Sequence, residues 1–455
     1  MVINGHSDER GILRFSVVAC FAVGLASGFP TAVDAQGSRS KSAKANATTI
    51  AADEAQKGEW SRWRGPNGDG ISLETGLLDQ WPSEGPPLAW RAKGTGSGYS
   101  SVAISGGKIL TLGKKQGKNH LIALSLEDGS PLWSTPIGDG GNPNSTPTVD
   151  GDLVFGLSLG GDLACCKTED GTLVWSKNFG KDFGGKMMSG WGYSESPLVD
   201  GDRLICTPGS DETLIVALDK KTGDLIWATS SKQADIGRKG EDGAGYASVV
   251  ISNAGGVKQY VTLLGRGVVG VEAATGKPLW SYNGVANGTA NIPTPIVGGD
   301  MVFSSSGYGA GAALIKLNKS RTGFAAQEVY FLQAKQMQNH HGGMILKDGY
   351  VYCGTGHGEG YPLCIEARTG RDAWRPGRGP GSGSAAIAYA DGHLYFRYQD
   401  GTMALIEATP KAYKLKGTFK AASHNGEAWA HPVIAGGKLY LRDQDELLCY
   451  DVRKK

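Results

Sequence analysis

The 455-residue chain has no excess of either charge: 46 Lys and Arg stand against 44 Asp and Glu, a formal net charge of +2. Nucleic-acid binders normally carry a clear basic surplus, so no nucleic-acid partner is expected. No apolar run of twenty residues follows the N-terminus, which excludes a polytopic helical membrane protein and leaves no expected membrane span. Cysteine is scarce, at seven residues, and no two are spaced Cys-x-x-Cys, so a thiolate zinc site is not expected. Glycine lacks the three-residue period of collagen. What the chain does have is glycine itself, 71 residues, roughly twice the average usage. So much glycine calls for many tight turns, and many turns favour one large all-β domain over several mixed ones.

The first residues read as an address. Arg10 and Arg14 precede a short apolar stretch from Phe15 to Phe29, and Val33 and Ala35 flank Asp34 as a small-x-small site. A basic start, a short apolar middle and such a site mark a secretory signal peptide at 1–35. Cys20 lies too near Arg14 for lipid attachment to be the preferred reading. Residues 36–59 are rich in Ser, Ala, Lys and Thr and read as a flexible linker. The expected location is therefore periplasmic or secreted, with folding from Trp60 to Lys455.

The folded part is a repeat. A turn glycine stands four residues before a tryptophan in five copies: Gly129 and Trp133, Gly171 and Trp175, Gly223 and Trp227, Gly276 and Trp280, Gly370 and Trp374. The last gap is two periods long, with a degraded copy at Arg321, Thr322 and Gly323. Each unit begins with an alternating hairpin around an Asp-Gly or Gly-Gly turn, as at Asp150 and Gly151 or Gly298 and Gly299. Counting hairpins by Gly106, Gly151, Gly201, Gly255, Gly299, Gly349, Gly392 and Gly436 gives eight units. Repeats of about 40–50 residues, each a four-stranded antiparallel meander, predict an eight-bladed β-propeller. The last copy ends before its tryptophan strand, and Pro86, Pro87, Leu88, Ala89 and Trp90 match the missing piece. Pairing of that segment with the last blade closes the ring and leaves no raw edge.

The spacing of Ala217, Asp219, Gly223 and Trp227 resembles the tryptophan-docking motif of the PQQ-like (pyrroloquinoline quinone repeat) β-propeller family. That family includes quinoprotein dehydrogenases and the outer-membrane assembly factor BamB. The copies depart from the motif at Ser125, Cys165 and Lys167, and the seventh lacks its tryptophan. The opening residues, Trp60 to Gly70, are similar to the N-terminal segment of secreted bacterial members. The resemblance spans residues 60–455 and is specific for fold rather than function.

In a propeller, the loops that enter each unit's first strand share one end of the central channel. Those loops carry Tyr99, Asn144, Trp191, Tyr193, Glu195, Tyr246, Asn291, His340, His341, Trp429 and His431. Aromatic walls with a few convergent polar groups suit a ligand pocket, so Trp191, Tyr193, Glu195, Tyr246, Asn291, His340, His341, Trp429 and His431 are the candidate funnel residues. The same residues would also serve merely to satisfy strand ends and cap the channel. A metal on His340 or His341 with His431 and Glu195 finds no support in the spacing, and no metal is expected. Cys165 and Cys166 read as strand residues packed as small hydrophobes, while Cys353 and Cys364 flank a loop that a cross-strand disulfide would suit.

Two functions follow. In the preferred one, the chain is an exported, non-catalytic, monomeric propeller that takes a protein, peptide or glycan ligand at its rim or funnel and needs no cofactor. Eight blades consume almost the whole length and leave little for inserted chamber loops. The alternative, implied by the resemblance, is a PQQ-dependent oxidoreductase of the alcohol dehydrogenase kind. It would carry PQQ over the channel and Ca2+ on Glu195 and Asn291. No blade-entry Asp offers an obvious general base for it.

Overall fold

A computed structural model describes residues 58–455. The expected leader at 1–35 lies outside the described residues, as does the expected linker at 36–59 except its last two positions. Eight four-stranded antiparallel sheets follow one another around a ring. Blades one to seven run 103–139, 148–178, 198–229, 250–282, 296–332, 344–374 and 385–420. The eighth combines three strands within 433–451 with the strand Leu88–Lys93. Each innermost strand is short, as in Ala103–Ser105 and Thr148–Asp150, and glycine turns reverse the chain directly after it.

Ring closure follows the expected pairing. Leu88–Lys93 lies antiparallel to Glu446–Asp451, with Trp90 opposite Cys449 and Arg91 opposite Leu448. Glu446 adds charge complementarity across the seam: it pairs with Arg91, and Lys93 Nζ stands 3.2 Å from its Oε1. Extended strands with alternating exposure bury their inner faces against the next sheet, so the core is a series of wedges between blades.

The spacing of glycine and tryptophan has a packing cause that spans two blades. The indole of one blade lies flat over the turn glycine of the next, so that a Cβ at Gly171 would stand 2.5 Å from Trp133, and one at Gly276 only 2.3 Å from Trp227. Trp133 Nε1 donates to Thr168 O at 3.2 Å, Trp175 Nε1 to Lys220 O at 3.0 Å, and Trp374 Nε1 to Thr409 O at 2.7 Å. Trp133, Trp175 and Trp374 thus bury a large apolar face and satisfy their one donor on the neighbouring blade, whereas Trp227 packs the same way with its Nε1 unpartnered among the described residues. Blade five, the degraded copy, uses Tyr330 instead: its ring covers Gly370 and its hydroxyl donates to Ala367 O at 2.6 Å. Trp280 departs from the rule, bonding Gln259 Oε1 within its own blade at 2.7 Å.

Residues 58–85 form a strap across the end of the channel that carries the hairpin turns. Trp60 and Ile104 exchange backbone bonds of 2.8 and 2.9 Å in blade one, and Val149 N donates to Ser61 O at 2.8 Å in blade two. Farther along, Tyr389 N donates to Gly70 O at 2.9 Å in blade seven, and Glu74 accepts from Gly436 N and Gly437 N at 2.9 Å in blade eight. The strap therefore fastens blades that are remote in sequence.

All six cysteines among the described residues are free and buried. Cys353 lies opposite Leu363, whereas Cys364 lies opposite Tyr352. This one-residue offset sends the two thiols to opposite faces, into different core clusters, so the cross-strand disulfide is not made. Cys165 and Cys166 likewise occupy the interior strand Asp162–Lys167, one on each face.

Candidate functional site

Strand direction alternates within a blade, so the blade-entry loops and the loops between second and third strands meet at the end opposite the strap. Between them lies a cavity of about 220 Å3. Its wall includes Tyr99, Asn144, Trp191, Tyr246, Tyr308, His340, His341, Trp429 and His431, and the strap supplies Trp63 and Arg64. Trp63 Nε1 donates to Thr294 Oγ1 at 3.3 Å, and Arg64 Nη2 to Asp69 O at 2.9 Å and to Met344 O. The chain's own leading segment thus closes the inner end of the pocket.

The wall is a connected set of rings. Trp63 lies 4.5 Å from His431, Tyr99 lies 4.4 Å from Trp429, and His341 lies 5.6 Å from Trp429, centroid to centroid. His340 stands 4.6 Å from His341 and 4.2 Å from His357, and Tyr308 stands 4.2 Å from His357. His340 bonds Ser384 Oγ at 2.8 Å and Tyr308 OH at 3.2 Å, while His431 Nε2 bonds His341 O at 3.0 Å. Burial, reinforced by neighbouring imidazoles, pushes His340 and His341 down to about 3. His431 is also pushed down to about 3, first by burial and then by Arg64 and Arg397, against the bond to His341. All three are therefore neutral at pH 7 and work as hydrogen-bonding rings, not cations. Arg64 is lowered by burial to about 10 and stays charged.

Of the nine candidates read from the sequence, Trp191, Tyr246, His340, His341, Trp429 and His431 come together in this wall. Trp191 sits at the mouth, 57% exposed, and its backbone N–H donates to Tyr246 OH at 3.4 Å. The other three point elsewhere. Tyr193 is buried against Phe179, with its hydroxyl donating to Pro208 O at 3.0 Å. Glu195 is fully buried and accepts from Thr207 N at 2.6 Å; burial pushes its carboxyl up to about 7, partly offset by the Thr207 hydrogen bonds. Asn291 donates to Leu264 O and Gly265 O, both at 2.9 Å, and its amide oxygen accepts from Asn287 N at 3.0 Å. It is a clamp on the neighbouring strand end. The loops between second and third strands explain the rest: they add Tyr308, whose φ of 55° swings it inward, and His357 behind it. Applying the same alternation of strand direction to those loops would have found both residues.

The donor set does not suit PQQ held with a divalent cation. Among the described residues the cavity wall carries no carboxylate, and no group of three or more His, Cys, Asp or Glu converges as a metal requires. Glu195 and Asn291 lie outside the cavity wall, Asn291 bonded to backbone groups and Glu195 through Oε1 to Thr207 N with its Oε2 unpartnered, and Cys165 and Cys166 pack inside a blade.

The family model described as outer membrane protein assembly factor BamB matches residues 117–376. A curated BamB of Burkholderia pseudomallei (strain K96243) is 26% identical over 127 residues, or 26% of this chain. That stretch spans only 30% of the relative's own length. The crystal structure of BamB from Moraxella catarrhalis superposes with a TM-score of 0.57 at 12% identity, covering 81% of this chain and 98% of that one. A quinohemoprotein alcohol dehydrogenase from Pseudomonas putida HK5 gives 0.60 at 14% identity, covering 89% of this chain and 82% of that one. At such identities the superpositions speak for the fold alone. The family match covers more than half of the sequence and coincides with the blades that repeat its glycine and tryptophan spacing. The chain belongs to the PQQ-like β-propeller family, in the BamB branch that this model describes.

Proposed function

We propose that this protein is an exported, non-catalytic binding propeller whose funnel holds part of a protein, peptide or glycan partner. The observation that carries the reading is the cavity itself: a wall of aromatic and neutral imidazole rings, without a carboxylate, closed on its inner side by Trp63 and Arg64. Such a wall offers stacking surface and hydrogen bonds but no carboxylate base, and its imidazoles, lowered to about 3, are weak bases. Partly exposed Trp191 at the mouth extends that surface to the rim. The match to an outer membrane protein assembly factor supports a partner-binding role, and the leader read at 1–35 supports periplasmic or secreted placement. No helix among the described residues is long and apolar enough to cross a membrane.

The test is a titration of tryptophan emission with a defined panel of peptides and oligosaccharides. Saturable quenching by a panel member, abolished in Trp191→Ala at unchanged melting temperature, is the expected result. In parallel, PQQ with calcium should give neither saturable binding nor dye reduction. Quinone binding lost in Trp191→Ala and Glu195→Ala would overturn the reading in favour of an oxidoreductase.

A further inference from the structure

Three polar atoms of cavity residues are buried without a hydrogen-bond partner among the described residues: Arg64 Nη1, His341 Nε2 and Trp429 Nε1. Native proteins leave few such atoms, because an unmet donor away from water is costly, most of all on a charged group. A guanidinium and an indole can only donate, and a neutral imidazole nitrogen donates when it carries the proton. The unmet set therefore holds two obligate donors, Arg64 Nη1 and Trp429 Nε1, and one nitrogen, His341 Nε2, that donates in one of its two tautomers.

The charged member of the set, Arg64 Nη1, lies beside Gly343, a cavity residue. A Cβ there would stand 2.2 Å from Arg64 Nη1 and 3.1 Å from His431 Cε1, so the missing side chain is what gives the guanidinium its room. Arg64 is 5% exposed, and its Nη2 is spent on two backbone carbonyls. No carboxylate lies within ion-pair distance of it among the described residues; Asp69, the nearest acidic influence, accepts from Ile71 N at 3.0 Å. One full positive charge with one open N–H side thus sits under a ring of apolar faces.

We propose that the cavity floor is a receptor for a single carboxylate carried on a flat apolar body, with Arg64, His341 and Trp429 donating to its oxygens. This deepens the binding reading above and rests on it. A carboxylate matches the charge of Arg64, the one cation of the cavity wall among the described residues, and offers enough lone pairs for several donors. A phosphate dianion would bring a second negative charge to rings that are neutral. The body lies against Trp63 and against the Tyr99–Trp429 pair, whose rings already touch at 4.4 Å. Two sources share this chemistry: a free aromatic acid, and the C-terminal residue of a peptide that ends in an aromatic side chain.

The experiment titrates the full chain with four probes, by calorimetry and tryptophan emission: benzoate, benzamide, N-acetylphenylalanine and its C-terminal amide. Each acid should bind about tenfold or more tightly than its isosteric amide, as expected when a charge-assisted bond is exchanged for a neutral one. Trp429→Phe keeps the ring, removes one donor and should narrow that preference several-fold. Arg64→Gln should abolish it, with melting temperature checking that the strap has stayed in place. The wild-type comparison of acid with amide stands even if Arg64→Gln fails to fold. The tighter acid of the two identifies the source. Equal affinity of acid and amide overturns the carboxylate receptor and leaves the funnel a binding site. Silence of all four probes at millimolar concentration overturns the receptor too, and the binding reading falls only if the peptide and oligosaccharide panel is silent as well.

Discussion

Gly276→Ala is the sharpest perturbation that the blade contacts allow. Two costs fall on one methyl group. Gly276 has a φ of 74°, in the left-handed region, where a side chain costs about 1–2 kcal/mol. Its Cβ would also stand 2.3 Å from Trp227 Cε3, closer than real carbon atoms approach, and such overpacking costs typically about 1–3 kcal/mol. Together the variant should lose roughly 2–5 kcal/mol. Gly201→Ala is the control: its φ is 62°, but nothing lies within 4 Å of the new methyl, so only the backbone cost of about 1–2 kcal/mol applies. Chemical denaturation followed by tryptophan emission should rank them in that order, and the difference should vanish in a Trp227→Ala background. The coupling in that double-mutant cycle should be about 1–3 kcal/mol. Equal midpoints for Gly276→Ala and Gly201→Ala, or a coupling of zero, would refute the claim that the indole is what forbids a side chain at this turn.

Other outcomes follow from the same contacts. Trp227→Ala, removing a large side chain buried between two blades, should destabilise by about 3–5 kcal/mol in the same assay. Glu195 gives a pH signature. Its folded value, about 7, lies above the ordinary 4.5, so the native state holds a proton that the unfolded chain releases between those values. Stability should therefore be fully present below about pH 4.5 and fall as pH rises through 7, by on the order of 3 kcal/mol, and Glu195→Gln should flatten the curve. His341→Ala should alter binding in the funnel while shifting the melting temperature little, because the backbone oxygen that holds His431 is retained. The native chain should give no fast reaction with a thiol reagent from the six described cysteines. All are buried, and burial pushes Cys165, Cys353, Cys364 and Cys449 up to about 12 and Cys166 up to about 11.

The fold was almost wholly legible because its signals are local and repeated. Eight glycine hairpins fix eight blades, and the match of Trp90 to the other strand ends fixes the closing pair. Part of the site was legible for the same reason: blade-entry loops are positioned by the repeat, and six of their residues meet. Tyr193, Glu195 and Asn291 share those loops, but successive residues face different ways and pattern alone does not say which way an irregular loop turns. Trp63 and Arg64 are not legible as pocket residues because the strap has no period; its course is set by hydrogen bonds to blades one, two, seven and eight, contacts between residues far apart in sequence. The pair Cys353 and Cys364 shows the limit of proximity as an argument, since one residue of register decides the face.

The seam between Arg91 and Glu446 joins residues 355 positions apart. Bringing such distant points together costs about 2 kcal/mol more entropy than joining neighbouring blades some 45 residues apart. Leu88–Lys93 must therefore wait, unpaired, for Glu446–Asp451, and a nascent chain carries two sticky borders until that later strand is free. Factors that shield extended segments would matter most in that interval, and a premature stop anywhere in the last blade would leave both borders open to a second copy.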